Sequence, residues 1–429
     1  MAIVRERKCL RCNKQFVTTQ YNAKYCSTSC KSKTETVRKA TTAEKRIARI
    51  HTSDAWRWIA RECRRAGTVE VLQGVDLVEL FSLYNRRYKC YGYDSKKKTS
   101  KYHLCHISPV KGADSIGLLH HANLFIGTSL ANQKFTNKHY ANAGLSIKRS
   151  SLKKKWLVAD KITDAQVFTK IKSYLGEKLI EYAKHNKIDR ATRLTLALRV
   201  SKHESNTLSL EQLEKLSTAS LRDLEADLKG KLVYQIDLKA KRSLDVYKQE
   251  LDRFALCSDG ASKEGYQFVS SVCVVLAQAL VVSRYGKGLD NITATYDRCY
   301  LEYSPLAIKQ GVDISKLRDF VTFTAFETLS GAEVNKEIIS STLNKYLYFT
   351  DNHVYGVWEQ SEYEWIIREH ETFKSNLLNV EEAIISTGLY DPFAELLDPY
   401  SELLDPFFIP MGFSNNKVKT PAIEYAIYH

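Results

Sequence analysis

The 429-residue chain is 44% hydrophobic and 26% charged, a globular composition with length enough for two to four domains that each bury a core. Its net charge of +15 is unevenly spread: residues 1–155 hold 32 Lys and Arg against 10 Asp and Glu, a net of +22, while the remainder carries a net of −7. That split excludes an evenly solvated basic surface and fits a front portion that binds a polyanion.

In chain order, the opening MAIVRERKC is charged from Arg5 and offers no apolar signal segment, so a soluble cytoplasmic protein is expected. Without secretion a disulfide framework has no support, and the ten cysteines read as reduced thiols around one metal site. That site is the run RKCLRCNKQFVTTQYNAKYCSTSCKSK, in which Cys9 and Cys12 form a C-x2-C pair, 13 residues follow, and Cys26 and Cys30 form a C-x3-C pair. Two tight turns carrying two thiolates each complete a tetrahedron around zinc, whose binding supplies folding energy to a segment with little core. Lys8, Arg11, Lys14, Lys24, Lys31 and Lys33 surround it. They suit phosphate contact, and a purely structural or protein-docking zinc knuckle is the alternative.

Residues 41–65 read as a helix with Thr42 as its cap and Gly67 as its stop. Arg46, Arg49, Arg57 and Arg61 form its basic side, and the planar guanidinium fork suits a DNA backbone. A second helix over 75–88 places Leu77, Leu80, Phe81 and Tyr84 at core spacing. Lys96, Lys97 and Lys98 follow in a loop, and Lys148, Arg149, Lys153, Lys154 and Lys155 form a second basic run. Between these runs the pattern is strand (102–107), irregular loop, strand (124–126) and a helix over 130–138 capped by Thr128 or Ser129. His106 at the end of the first strand is a candidate general base, and Asn132 on the helix offers a neutral oxygen to a hard divalent cation.

The string HISPVKG, followed by NL and, nine residues after Asn123, by Asn132, closely resembles the HNH, or ββα-metal, endonuclease family in its HNN variant. CNKQF and YCSTSC likewise resemble treble-clef zinc modules that precede such domains. The resemblance implies His106 as general base, Asn123 as the brace of the loop and of the His, and Asn132 as ligand to a catalytic Mg²⁺ or Mn²⁺. It implies hydrolysis of DNA phosphodiesters in a phage or mobile-element setting, hence a host cytoplasm. Cys105 stands where many members carry an acidic metal ligand, which leaves Asp114, His103, His121 and His139 as candidates for the second ligand. Lys134 is a candidate contact to the scissile phosphate.

Beyond residue 156 helices are expected over 163–185, in two short pieces over 208–229, and over 240–256, 266–282, 317–329, 333–347 and 359–377. The apolar run 268–282 is short for a membrane span and reads as a core helix. Residues 231–236 and 353–358 read as extended. The tail repeats DP[F/Y]xELL from Asp391 and Asp398, suggesting successive helical turns or an acidic strip for a protein partner. The fold expected is α+β: a predominantly helical multidomain protein of a zinc module (1–35), a basic helical support (36–90), a ββα unit (91–155) and a mainly helical remainder (156–429). That remainder is expected to serve site choice, dimerisation or partner docking. The expected function is a metal-dependent endonuclease acting on double-stranded DNA. The alternatives are a catalytically inactive nucleic-acid-binding regulator and a host-protein-interacting factor.

Overall fold

The computed structural model describes residues 3–94, 99–136, 138–159, 161–231, 240–285, 299–359 and 380–389. The expected helix 359–377 beyond its first residue, most of the extended piece 231–236, Lys96, Lys97, Lys98 and the repeated tail lie outside them.

The chain is mostly helical with small two-stranded sheets. It begins with β1 (Arg5–Lys8) and β2 (Gln15–Thr18), an antiparallel ribbon with Arg5 opposite Thr18 and Lys8 opposite Gln15. Then comes α1 (Thr28–Ala48), capped by Ser27, whose side chain accepts from the Cys30 amide. The expected helix 41–65 is therefore two helices with an earlier start. Thr42 lies inside α1, its hydroxyl donating to the Arg38 carbonyl, and a 3₁₀ turn over Ile50–Thr52 separates α1 from α2 (Asp54–Ala66). Gly67 stops α2, as expected. Next are α3 (Leu77–Lys89), the short hairpin β3 (Tyr93–Asp94) and β4 (Thr99–Ser100), then β5 (Tyr102–His106), β6 (Ser115–Gly117), β7 (Leu124–Thr128), α4 (Ser129–Phe135) and β8 (Ser146–Lys148).

Local capping chemistry fixes the next helices. Thr163 and Gln166 form a capping box at α5 (Asp164–Leu175), and Gly176 separates it from α6 (Glu177–His185), so the single helix expected over 163–185 is two. After α7 (Thr192–Val200), Ser209 and Ser217 cap α8 (Leu210–Leu213) and α9 (Thr218–Leu228). The chain continues with α10 (Ser243–Ala255), α11 (Gly260–Tyr285), β9 (Cys299–Ile308), α12 (Ile314–Leu329), α13 (Lys336–Tyr346), β10 (Leu347–Glu359) and α14 (Val380–Ser386). The extended piece at 353–358 belongs to β10, whose antiparallel partner is β9.

Two compact units emerge, and their boundaries differ from the four expected segments. The first comprises residues 1–84, 110–121 and 146–237; the second comprises 85–109, 122–145 and 238–429. The reason is strand pairing. β6 pairs with β8, which carries the loop after His106 and the segment after residue 145 into the first unit. β5 pairs with β7, which keeps the strand–strand–helix element in the second. The first unit centres on Trp56, whose ring lies 5.1 Å from Phe81 and 6.3 Å from Tyr182. The second is built on α11, whose Val269, Val272, Cys273, Val275 and Leu276 are fully buried among α10, α12 and α14 residues. Among the described residues no helix is long and apolar enough to cross a membrane.

Candidate functional site

The four N-terminal cysteines come together. The ribbon β1–β2 presents Cys9 and Cys12 at its turn, where the Cys9 amide donates to the Lys14 carbonyl and the Asn13 amide returns to the Cys9 carbonyl. The Leu10 amide donates to the Lys24 carbonyl, drawing the second pair alongside. All four Sγ atoms lie within 4.8 Å of one another, with Cys12 to Cys26 at 3.5 Å and Cys26 to Cys30 at 3.6 Å. Sulfurs at about 2.3 Å from a tetrahedral zinc stand about 3.8 Å apart, so the cluster has the dimensions to hold a metal such as zinc. Burial opposes ionisation of Cys9, yet the amides of Cys12, Cys26 and Arg11 outweigh it and hold this thiol at about 6. Cys26, hydrogen-bonded among Cys12, Cys30 and Cys9, is pushed up to about 12. Four sulfurs this close cannot all ionise without a cation between them. Among the described residues no other group of three or more His, Cys, Asp and Glu side chains is placed to hold a metal.

The second site is the strand–loop–strand–helix element, whose strands and helix belong to the second unit. β5 and β7 run antiparallel with Tyr102 opposite Thr128 and His106 opposite Leu124. Thr128 then caps α4, accepting from the Ala131 amide. Ala131 and Phe135 turn into the core, and Asn132, between them, is half-buried. His106 is half-buried at the last paired position of β5. Its neighbour Cys105 faces the opposite way, into the core, where Gly127 is forced to be glycine: a Cβ there would stand 2.9 Å from the Phe326 ring and 3.1 Å from the Cys105 sulfur. Burial pushes the Cys105 thiol up to about 12, and its sulfur lies on the core side with Gly127 and Phe326.

Asn123 is fully buried and ties three segments together. Its carbonyl accepts from the Ile107 amide, and its side-chain Oδ1 accepts from the Ser108 amide at 3.0 Å and the Leu145 amide at 3.0 Å. Its Nδ2 donates to the Ser108 carbonyl. Gly144, at φ +72°, passes so close that a Cβ would stand 2.3 Å from that Oδ1. The loop that leaves His106 is thus pinned at its first two residues by Asn123, at Ile107 through its backbone carbonyl and at Ser108 through its carboxamide.

Of the four second-ligand candidates, His103 and His139 share a unit with His106, and Asp114 and His121 belong to the other. His103 is three residues from His106 on one strand and so points to the other face. Burial, reinforced by Arg87, lowers its pKa. The exposed His139 ring meets the Ala143 carbonyl at 3.3 Å.

A feature the sequence did not announce fixes the free edge of β7. Side chains from one face of α10 bond its backbone where a third strand would. Arg253 donates to the Leu124 carbonyl at 2.7 Å, the Ile126 amide donates to Glu250 at 3.2 Å, and the Thr128 amide donates to the Tyr247 hydroxyl at 3.0 Å. Glu250, 1% exposed, is also ion-paired to Arg86 and to Arg253. The only sequence signal is the spacing 247, 250, 253, which reads as an ordinary helix face.

The basic residues divide. Arg46 donates to the Ala183 and Lys184 carbonyls at the end of α6, Arg49 to the Lys45 carbonyl and Arg57 to the His51 carbonyl, while Arg61 and Lys134 are exposed. Compared with known proteins, the chain matches no family model, no curated protein and no solved structure.

Proposed function

We propose that this protein is a metal-dependent endonuclease of the ββα type acting on double-stranded DNA, with zinc as the ion of its four cysteines. The observation that carries the reading is the strand–loop–strand–helix in which His106 ends β5, Asn123 pins the loop after it, and Asn132 sits on α4. His106 takes the proton of the attacking water, a role an imidazole nitrogen can fill as general base. Asn123 holds the backbone after His106, and through it the ring, in place for that transfer. The Asn132 carboxamide oxygen is the donor type a hard ion accepts, and magnesium commonly completes its shell with waters and substrate phosphate oxygens. Such an ion, when bound, supplies charge stabilisation at the scissile phosphate. One centre of this kind cuts one strand at a time, so a monomer nicks and a dimer cuts both.

The buried Cys105 in place of an acidic ligand favours a second reading, a nucleic-acid-binding regulator that keeps the scaffold without turnover. A supercoiled plasmid incubated with Mg²⁺ or Mn²⁺ separates the two. Relaxation by the native chain and its loss in His106→Ala support the enzyme. Binding without relaxation in either metal supports the regulator.

A further inference from the structure

α1 is polar nearly all round. Of its 21 residues only Ala43 is buried, and the stretch from Thr28 to Thr41 is exposed apart from the half-buried Cys30, Thr34 and Glu35. Such a helix is poorly stabilised by its own sequence. Four threonines, Thr34, Thr36, Thr41 and Thr42, bond their hydroxyls back to carbonyls four residues earlier, a habit that weakens helices. The helix is instead held at its two ends, by Cys30 in the metal cluster and by Ala43, Arg46 and Ile47 on the side packed with α6. Opposite that packed side, Lys31, Thr34, Arg38, Thr41 and Lys45 fall at steps of three and four residues, so cations and hydroxyls alternate along one face. The one ion pair on it, Arg38 with Glu35 at 3.3 Å, is solvent-exposed and therefore weak.

We infer that this face enters the major groove of duplex DNA, making α1 the element that reads sequence. The occupant follows from the chemistry of the stripe. Lys31, Arg38 and Lys45 match a polyanion, and the threonine hydroxyls between them suit base edges. The stripe spans about 21 Å, the length of about six base pairs. A B-form major groove admits a helix, whereas the deep, narrow groove of duplex RNA does not. A protein groove would require apolar anchors at helical spacing, and the exposed stretch offers Val37 alone. The inference rests on the reading of DNA as substrate and deepens it by naming how a site is chosen.

The test uses the full chain carrying His106→Ala, with zinc and without added magnesium or manganese, so that binding is measured without cleavage. A random duplex pool should yield one preferred sequence. Combining Lys31→Ala, Arg38→Ala and Lys45→Ala should weaken duplex binding roughly tenfold to hundredfold and lower the slope of log affinity against log salt by about 2–3. Thr34→Val with Thr41→Val should leave that slope unchanged and alter the selected sequence, with roughly tenfold loss on the original site. Zinc content and helicity should hold in both variants. Unchanged affinity and slope in the triple variant, a pool that yields no preference, or equal binding to duplex RNA would overturn the inference. So would a protein captured through this face by a chain with no duplex affinity. A chain that binds through α1 yet never relaxes a plasmid would keep this inference and lose the nuclease reading alone.

Discussion

The two candidate metal-binding regions are held together by opposite means. In the N-terminal region, Cys9 and Ala43 are the only buried residues among those described between 3 and 48, and the four sulfurs are its main cross-link. In the strand–loop–strand–helix element, Tyr102, Cys105, residues 123–127, Ala131 and Phe135 are buried, and polar side chains of α10 complete the edge of β7. The first region has almost no core beside its cysteine cluster; the second is packed on buried side chains. On the proposed function, a metal is structural in the first and transient in the second.

Removing metal should break this symmetry most. Metal analysis should find about one tightly held zinc per chain. A zinc chelator, or Cys9→Ser with Cys12→Ser, should release it, expose residues 3–40 to protease and reduce helicity, because binding in comparable small modules is worth about 10–16 kcal/mol. The thermal transition of the second unit should stay in place. Retention of zinc by the double variant would rule out the ligand set.

The converse experiment targets Glu250. In Glu250→Ala the half-buried Arg86 and Arg253 lose their shared carboxylate and the Ile126 amide loses its acceptor. A loss of about 3–5 kcal/mol is expected in the second unit, read as a lowered denaturation midpoint, with zinc content unchanged. A midpoint within error of the native one would mean that the α10 network contributes little.

Why one region was legible and the other was not follows from the range of its interactions. Thr128 and Gly67 act on residues a few positions away, so the helix ends they set are readable in the sequence. The cysteine spacing foretold the cluster because both pairs lie on tight local turns. The start of α1 was missed because its exposed stretch has no apolar period, only an N-cap and a metal ligand to set it. The pairing of β9 with β10 joins residues 39–60 apart, and the α10 edge joins residues 119–129 apart, as Thr128–Tyr247 and Leu124–Arg253. Glu250 and Arg253 look in sequence like a solvated helical pair, and only the fold shows that one carboxylate serves two guanidiniums and a strand. Asn123 could be named from the motif, but its link to Leu145 required the structure.

A smaller effect separates bracing from catalysis. Asn123→Ala leaves the Ser108 and Leu145 amides without their buried acceptor and should cost about 3 kcal/mol. Gly144→Ala meets both the positive φ and the 2.3 Å approach to Oδ1, and should cost about 1–3 kcal/mol. If Asn123 acts by holding the loop, the two variants should lower plasmid relaxation together although only one removes the carboxamide. Activity lost in Asn123→Ala and kept in Gly144→Ala would assign the side chain a direct part in the chemistry.

The smallest change is the most discriminating. The Tyr247 hydroxyl accepts from the Thr128 amide and lies 3.0 Å from the Thr128 hydroxyl, which in turn caps α4 at the Ala131 amide. Tyr247→Phe keeps the ring in the core and removes only that link, so about 1 kcal/mol of stability should be lost. The start of α4 is one turn from Asn132, and loosening it should displace the carboxamide without altering its chemistry. On the proposed function, half-maximal plasmid relaxation should then require several-fold more Mg²⁺, while the rate at saturating Mg²⁺ stays near native. An equal loss of rate at every metal concentration would show that Tyr247 steadies the unit as a whole rather than the ion-binding helix, and the edge of β7 would then be a device of stability alone.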